Sequence, residues 1–114
     1  MANLGTTLTQ GVVMHANSFL QNGNWQLILT VAGDLEILPG PIWNSNSPGH
    51  NNVSCQIQNG DVILYAGANK YAHSNTGGHP SSVLTLTADG AAQVVAPGGV
   101  VIWDTSQGNV MQAC

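Results

Sequence analysis

Apolar and polar residues alternate along two long stretches of the chain. In residues 29–38 and again in residues 84–95, apolar side chains recur with a spacing of two. Because successive side chains of a strand point to opposite faces, both stretches are predicted to be half-buried β-strands. The residues expected to face the core are Leu29, Val31, Leu35, Ile37, Leu84, Leu86, Ala88, Ala92 and Val94.

A third alternating stretch changes phase in its middle. Apolar residues are odd-numbered in residues 53–57, whereas the inward-facing pair Val62 and Leu64 is even-numbered. An extra residue near Asn59 and Gly60, either a bulge or a tight turn, would reconcile the two halves. The two alternatives place neighbouring side chains in different registers, and the sequence leaves both open.

Turn-forming clusters divide the chain into similar units. Gly and Pro residues interrupt it at residues 39–41, 48–49, 77–80 and 97–99, and no long helical periodicity lies between them. A Gly followed by a polar or small residue recurs at Gly33, Gly60 and Gly90, at intervals of about 30 residues. Such units are too short to bury their own apolar faces, so the prediction is an all-β fold with three units packed around a pseudo-threefold axis.

Composition limits the possible partners. The 114 residues are 43% hydrophobic, which suits a single domain with one modest core, and only 5% are charged. The sequence contains one basic residue, Lys70, and five acidic residues, which gives a formal net charge of −4. Nucleic-acid binding and membrane-surface binding both need clustered cations, so neither is expected. A polar, uncharged surface suits neutral, hydroxyl-rich ligands.

The remaining candidate chemistry is sparse. Cys55 and Cys114 could form one bridge but are expected to be reduced, and the four scattered His residues predict no zinc site. No apolar run is long enough to span a membrane, and the first residues do not have the pattern of a signal peptide. The chain as written is therefore expected to be cytoplasmic, or else the mature form of a secreted protein.

Three closing segments identify a resemblance to a known family. Residues 43–47, 72–76 and 103–106 read Trp-Asn-Ser-Asn-Ser, Ala-His-Ser-Asn-Thr and Trp-Asp-Thr-Ser. They resemble the W-x-S-x-T motif of the bulb-type (monocot-type) mannose-binding lectins, in which each unit also carries Q-x-D-x-N-x-V-x-Y. Residues 8–27 look like the first strand of that family, with Trp25 at the usual Tyr position. The resemblance covers nearly the whole chain.

The resemblance implies a β-prism II fold with three pseudo-symmetric antiparallel sheets of about four strands. The single domain, residues 1–114, would contain units at about 17–47, 48–77 and 78–108. Residues 109–114 would form a C-terminal strand exchanged between subunits, so a homodimer or higher homo-oligomer is expected. Trp43 and Trp103 would pack at the centre of the prism. The family's usual disulfide is not expected, because Gly33 occupies one of its ends.

The same resemblance points to sugar-binding residues in the second unit. Aligned back from Tyr65, the family motif falls on Ile57, Asn59, Asp61, Ile63 and Tyr65, and a bulge would place Gln56 rather than Ile57 at its Gln position. The predicted ligand-binding residues are therefore Gln56, Asn59, Asp61, Ile63 and Tyr65. Alternatively, residues 59–61 are merely a hairpin turn. Thr30, Asp34 and Asp89 are second-choice ligand-binding residues in the other units.

These observations predict a lectin that binds mannose or mannose-containing glycans, without catalysis and without a cofactor or metal. Asp34 and Glu36 share a predicted strand face, but such pairs are common on exposed strands, and no nucleophile or phosphate-binding motif accompanies them. The alternative is a β-prism II protein with degenerate sugar sites that serves as a structural, storage or protein-recognition module.

Overall fold

The computed structural model describes residues 3–114, which form thirteen short β-strands and one 3-10 helix at Thr105–Gln107. The strands are β1 (Thr7–Leu8), β2 (Met14–His15), β3 (Phe19–Asn22), β4 (Trp25–Leu29), β5 (Leu35–Leu38), β6 (Trp43–Asn44), β7 (Val53–Gln58), β8 (Asp61–Ala66), β9 (Asn69–His73), β10 (Val83–Leu86), β11 (Ala92–Ala96), β12 (Val100–Asp104) and β13 (Gln112–Ala113).

The strands build three antiparallel sheets, one for each unit. The first sheet has the order β3-β4-β5-β6, the second β13-β9-β8-β7-β2 and the third β1-β10-β11-β12. The N-terminal segment contributes one strand to every sheet, and β13 returns to the edge of the second. The predicted fold class, all-β with three antiparallel sheets of about four strands, is confirmed.

The inward faces of the three sheets form one apolar core. It contains the residues expected to face inward, including Leu35, Ile37 and Val94, with the exceptions of Val31 and Ala88. Val31 is 62% exposed because β4 ends at Leu29 and the next residues form a turn. The prediction of one continuous strand in residues 29–38 was therefore wrong, and so was that for residues 84–95. Each stretch is a hairpin.

The phase change in the second unit comes from a tight turn. Asn59 and Gly60 both have positive φ angles, 52° and 83°, as the two central residues of a type I′ turn require. Gln58 lies directly opposite Asp61, and the pairing of β7 with β8 continues without a shift to Val53 and Ala66. The turn alternative is correct, and the β7–β8 hairpin contains no bulge.

The three units repeat the same closing contact. In each unit a Ser or Thr hydroxyl of the closing segment accepts a hydrogen bond from a backbone N–H at the start of β5, β8 or β11. The donor is the first residue of the strand in β5 and β11 and the second residue in β8. The pairs are Leu35 N with Ser45 Oγ at 2.9 Å, Val62 N with Ser74 Oγ at 2.9 Å and Ala92 N with Thr105 Oγ1 at 3.0 Å. This repetition explains why the closing segments carry Ser or Thr at matching places.

Two tryptophans, one from the first sheet and one from the third, contact each other and the C-terminal segment. The rings of Trp43 and Trp103 pack edge to face with centroids 5.6 Å apart, and Trp103 is buried. Their indole N–H groups donate to the carbonyls of Asn109 and Val110. In the single chain, β13 then pairs with β9 of the same molecule. Exchange of this strand between subunits stays a prediction.

The two cysteines are unbridged. Cys55 lies fully buried on the inner face of β7, where burial raises the pKa of its thiol to about 12. Cys114 is exposed at the C-terminus. A thiol that is both buried and protonated is inert, so Cys55 acts as a small apolar core residue.

Candidate functional site

The predicted residues of the second unit cluster on the outer face of the second sheet. Cys55, Ile57, Val62 and Leu64 point into the core, so the residues that alternate with them point outward. Across the hairpin, Gln56 lies opposite Ile63, Gln58 opposite Asp61 and Ser54 opposite Tyr65. On the next strand His73 lies beside Ile63. We call the group Gln56, Gln58, Asp61, Ile63, Tyr65 and His73 the polar face.

Asp61 is held by the closing segment of its own unit. Its carboxylate accepts hydrogen bonds from the Thr76 N–H at 3.1 Å and from Ser74 Oγ at 3.2 Å, and pairs with His73 Nδ1 at 2.8 Å. Burial acts to raise the pKa of Asp61, but the bonds from His73, Thr76 and Ser74 outweigh it and lower the pKa. The side chain is 19% exposed, so part of the carboxylate can still meet a ligand.

Ile63 lies on the polar face but is almost covered. Its neighbours across the sheet are Gln56 and His73, and it is only 4% exposed. The amide of Gln58 donates to Oε1 of Gln56 at 3.1 Å, which orders both glutamines above the hairpin. The surface around Ile63 therefore offers mainly amide and imidazole groups rather than an apolar patch.

Tyr65 and Asn59 lie at opposite ends of the hairpin. Tyr65 follows a shift in the pairing of β8 with β9 and is half-buried, and its hydroxyl has no hydrogen-bond partner within residues 3–114. Asn59 is exposed in the turn, where its N–H donates to Gln10 Oε1 and its carbonyl accepts from the His79 N–H. The structure thus brings four of the five predicted residues onto one face and leaves Asn59 at its end.

In the first unit the second-choice residues close their own turn. Thr30 Oγ1 accepts a bond from the Asp34 N–H at 3.0 Å. The Asp34 carboxylate accepts from the Ser47 N–H at 2.7 Å and from Ser45 Oγ at 3.3 Å. Asp34 thus makes the same two contacts with its closing segment that Asp61 makes with Ser74 and Thr76 in the second unit.

In the third unit Asp89 is exposed in the turn between β10 and β11 and lines a cleft of about 370 Å³. A second cleft, about 290 Å³ in volume, lies under β13 beside Tyr71 and Met111. The polar face lines neither of these clefts, so a ligand there would bind to an open surface.

Sequence reasoning missed two members of the polar face. Gln58 is two residues from Gln56 and therefore had to share its side of β7. His73 occupies the second position of the closing segment, and its contact with Asp61 appears only once β9 is paired with β8. The alternation of β7 was sufficient to find Gln58.

Within residues 3–114, no group of three or more His, Cys, Asp or Glu side chains is arranged to hold a metal ion. The same part of the chain has no helix that is both long and apolar enough to cross a membrane.

Comparison with solved structures identifies the fold. A monomeric monocot mannose-binding lectin from Gastrodia elata superimposes with a TM-score of 0.83 and 22% identity, covering 92% of this chain and 99% of that chain. Tarin lectin bound to trimannose gives 0.75 and 25%, covering 88% and 94%. A mannose-specific lectin from Crocus vernus gives 0.77 and 22%, covering 90% and 96%.

This protein therefore has the fold of the monocot mannose-binding lectins, and the resemblance seen in the sequence is confirmed. No protein-family model and no curated protein sequence matches the chain.

Proposed function

We propose that this protein is a lectin that binds mannose-type glycans on the polar face of the second sheet. The observation that carries the proposal is the placement of Gln56, Asp61 and Tyr65 on one outer face of a fold shared with mannose-binding lectins. Amide, carboxylate and phenol groups supply directional hydrogen bonds for neutral hydroxyls. The low charge of the whole chain agrees with such a ligand.

Each group has a defined part in the proposed site. Gln56 and Tyr65 would bond hydroxyls at the two sides of Ile63, and the exposed part of Asp61 would accept a third hydroxyl proton. Asn59 would reach the ligand from the turn. Because each net hydrogen bond contributes only about 0.5 to 1.5 kcal/mol, one monosaccharide should bind in the millimolar range, near −4 kcal/mol.

Calorimetric titration with methyl α-mannoside tests the site. The Tyr65→Phe variant removes one hydroxyl without a cavity and should weaken binding about threefold to tenfold at unchanged stability. Gln56→Ala should act similarly, whereas Gln26→Ala, the same change on the outer face of the first sheet, serves as the matched control. If Tyr65→Phe and Gln56→Ala bind as tightly as the parent, the polar face is not the site.

We also propose that the protein binds the glycan without cleaving or otherwise modifying it. The Asp34 carboxylate, which neighbours Glu36 in sequence, is committed to Ser45 and Ser47 and is therefore poorly placed for acid or base work. A mannoside incubated with the protein should be recovered intact by chromatography. Release of free mannose at a rate proportional to protein concentration would contradict this.

A degenerate lectin fold is the second candidate, and specific contacts favour it. The Asp61 carboxylate already forms hydrogen bonds with His73 and Thr76 of its own unit. Ile63 exposes too little surface to pack against a sugar ring. A glycan array separates the candidates: mannose-type ligands should be retained by a lectin, and none by a structural or protein-recognition module.

A homodimer or higher homo-oligomer remains part of the proposal. The strand β13 has only two residues and pairs with an edge of the second sheet, which makes it suited to exchange between copies. Sedimentation velocity at micromolar concentration should show at least a dimer. A single monomeric boundary would contradict the proposal. The Gastrodia elata lectins, which share the fold, are monomeric.

A further inference from the structure

Two basic side chains lie together on strand β9, along one side of the polar face. Lys70, the one Lys or Arg of the sequence, pairs with Tyr65 of β8 and is exposed. His73, further along β9, pairs with Ile63 of β8. Paired residues of neighbouring strands share a face of the sheet, so both basic groups point outward beside the residues of the proposed mannoside site. We call Lys70 and His73 the basic pair.

Most acidic side chains of the chain lie in other units. Four of the five belong to the first and third units, namely Asp34, Glu36, Asp89 and Asp104. Within the described strands of the second sheet Asp61 is the one acid, and its carboxylate is already paired with His73 at 2.8 Å. Lys70 has no ion pair among residues 3–114. The net charge of −4 is therefore unevenly distributed, and a ligand on the second sheet meets a free ammonium group.

The imidazole of His73 is held in place before any ligand binds. Asp61, which accepts bonds from Thr76 N–H at 3.1 Å and Ser74 Oγ at 3.2 Å, fixes the Nδ1 atom of the ring. The Nε2 atom has no hydrogen-bond partner within residues 3–114, and the side chain is 25% exposed. A protonated His73 can therefore offer its Nε2–H to a second acceptor. Because the ring is already ordered, that contact costs little further side-chain entropy.

The charge of this face depends on its histidines. Lys70 and Asp61 carry opposite charges that cancel, so protonation of His73 makes the group positive, and histidines ordinarily change charge between pH 5 and 8. A second histidine, His15, is exposed on β2 at the far edge of the same sheet, where it pairs with Ser54. The other side chains around the basic pair are the phenol of Tyr65, the thiol of Cys114, and the amides and hydroxyls of Gln56, Gln58, Gln112, Ser54, Ser74 and Thr76.

We propose that the polar face and the basic pair together prefer mannose-type glycans that carry an anionic ester group over neutral ones, and that acidification strengthens this preference. The sugar hydroxyls bond to Gln56, Asp61 and Tyr65, and the anionic group pairs with Lys70 and with protonated His73. This preference rests on the proposed mannoside site and adds to it the charge of the preferred glycan.

Calorimetry with methyl α-mannoside and its 6-sulfate ester, at about pH 5.5 and about pH 8, tests the preference. A sulfate ester keeps one negative charge at both pH values, so the change of pH acts on the protein alone. Because exposed charge pairs contribute modestly, the ester should bind roughly threefold to tenfold more tightly than the mannoside at the lower pH. This ratio of affinities should fall at the higher pH and with added salt.

Two variants test the basic pair directly. Lys70→Gln removes the ammonium group and should lower the ratio at both pH values. His73→Asn keeps an amide donor near the Nδ1 position but cannot titrate, so the ratio should lose most of its dependence on pH. This change in pH profile distinguishes a charge at His73 from a purely structural contact with Asp61.

Two matched controls test whether position matters as well as charge. His15→Gln removes an imidazole from the same sheet face, but β2 lies three strands from β9, roughly 14 Å away. Glu36→Gln changes the net charge by one on the outer face of the first sheet. Both controls should keep the ratio of the parent. If either changes the ratio as much as Lys70→Gln does, the attraction is general and the preference is overturned.

The ligands separate this preference from the proposed function. Equal affinities for ester and mannoside at both pH values would overturn the preference and leave the mannoside site intact. Inorganic sulfate that binds as tightly as the ester would show an anion site without a sugar, which also overturns it. If neither the ester nor the mannoside binds, the proposed function is refuted, and the preference with it.

Discussion

Replacing Asp61 by Ala tests whether its carboxylate stabilises the second unit as well as facing the proposed ligand. The variant loses the bonds from Thr76 N, Ser74 Oγ and His73 Nδ1. Ser74 Oγ keeps its hydrogen bonds with Thr76 Oγ1 and Val62 N. His73 is partly exposed and can form a hydrogen bond with water instead. The main cost is therefore the unpaired Thr76 N–H, and the expected loss is about 2 kcal/mol.

Urea unfolding followed by tryptophan fluorescence measures this loss. A destabilisation of about 2 kcal/mol should lower the urea midpoint by roughly 1 M at pH 7. The fold should survive, because the third unit carries Ala91 at the matching position. Asp89→Ala removes an exposed carboxylate without hydrogen bonds and should change stability by less than about 0.5 kcal/mol.

The difference in urea midpoint between the parent and Asp61→Ala should also depend on pH in a defined direction. The pKa of Asp61 in the folded chain lies below its ordinary value of 3.8, so its carboxylate stabilises the fold above that pH. This contribution disappears as the pH falls through the folded pKa, so the difference between the midpoints of parent and Asp61→Ala should become smaller in acid. Equal midpoints at pH 7, or a difference that does not shrink on acidification, would refute the structural role of the carboxylate.

Two further predictions concern packing and reactivity. Gly90→Ala should destabilise strongly, because its Cβ would lie 2.7 Å from the ring of Trp25; Gly98→Ala has a similar positive φ but open space around it, so the difference in urea midpoint isolates the clash. In the folded protein a thiol reagent should modify Cys114 and spare Cys55, whose pKa is raised to about 12 by burial, and mass spectrometry should find a second adduct only after unfolding. Rapid labelling of Cys55 under native conditions would contradict its burial.

The sequence alone determined the class of fold. A period of two and recurring glycines were enough to predict an all-β fold of three packed units, because strand alternation and turn chemistry are local properties. The arrangement in three antiparallel sheets was implied by the family resemblance that the closing segments carry. Where local signals compete, the sequence was insufficient. Val31 keeps the phase of a strand but lies in a turn, since Thr30 N bonds to the Asp34 carbonyl and ends the strand there.

Only the tertiary structure decided what the candidate site residues do. Alternation along β8 correctly placed Asp61 and Tyr65 on one face, whereas Gln56 was assigned through a bulge that is absent and reaches that face because the tight turn pairs it with Ile63. Alternation also could not show that Asp61 pairs with His73, which is twelve residues away on a different strand. Nor could it show that Ile63, which lies between Gln56 and His73, is only 4% exposed. Such contacts depend on how strands pair across the sheet, and strand pairing brings together residues that no local pattern connects.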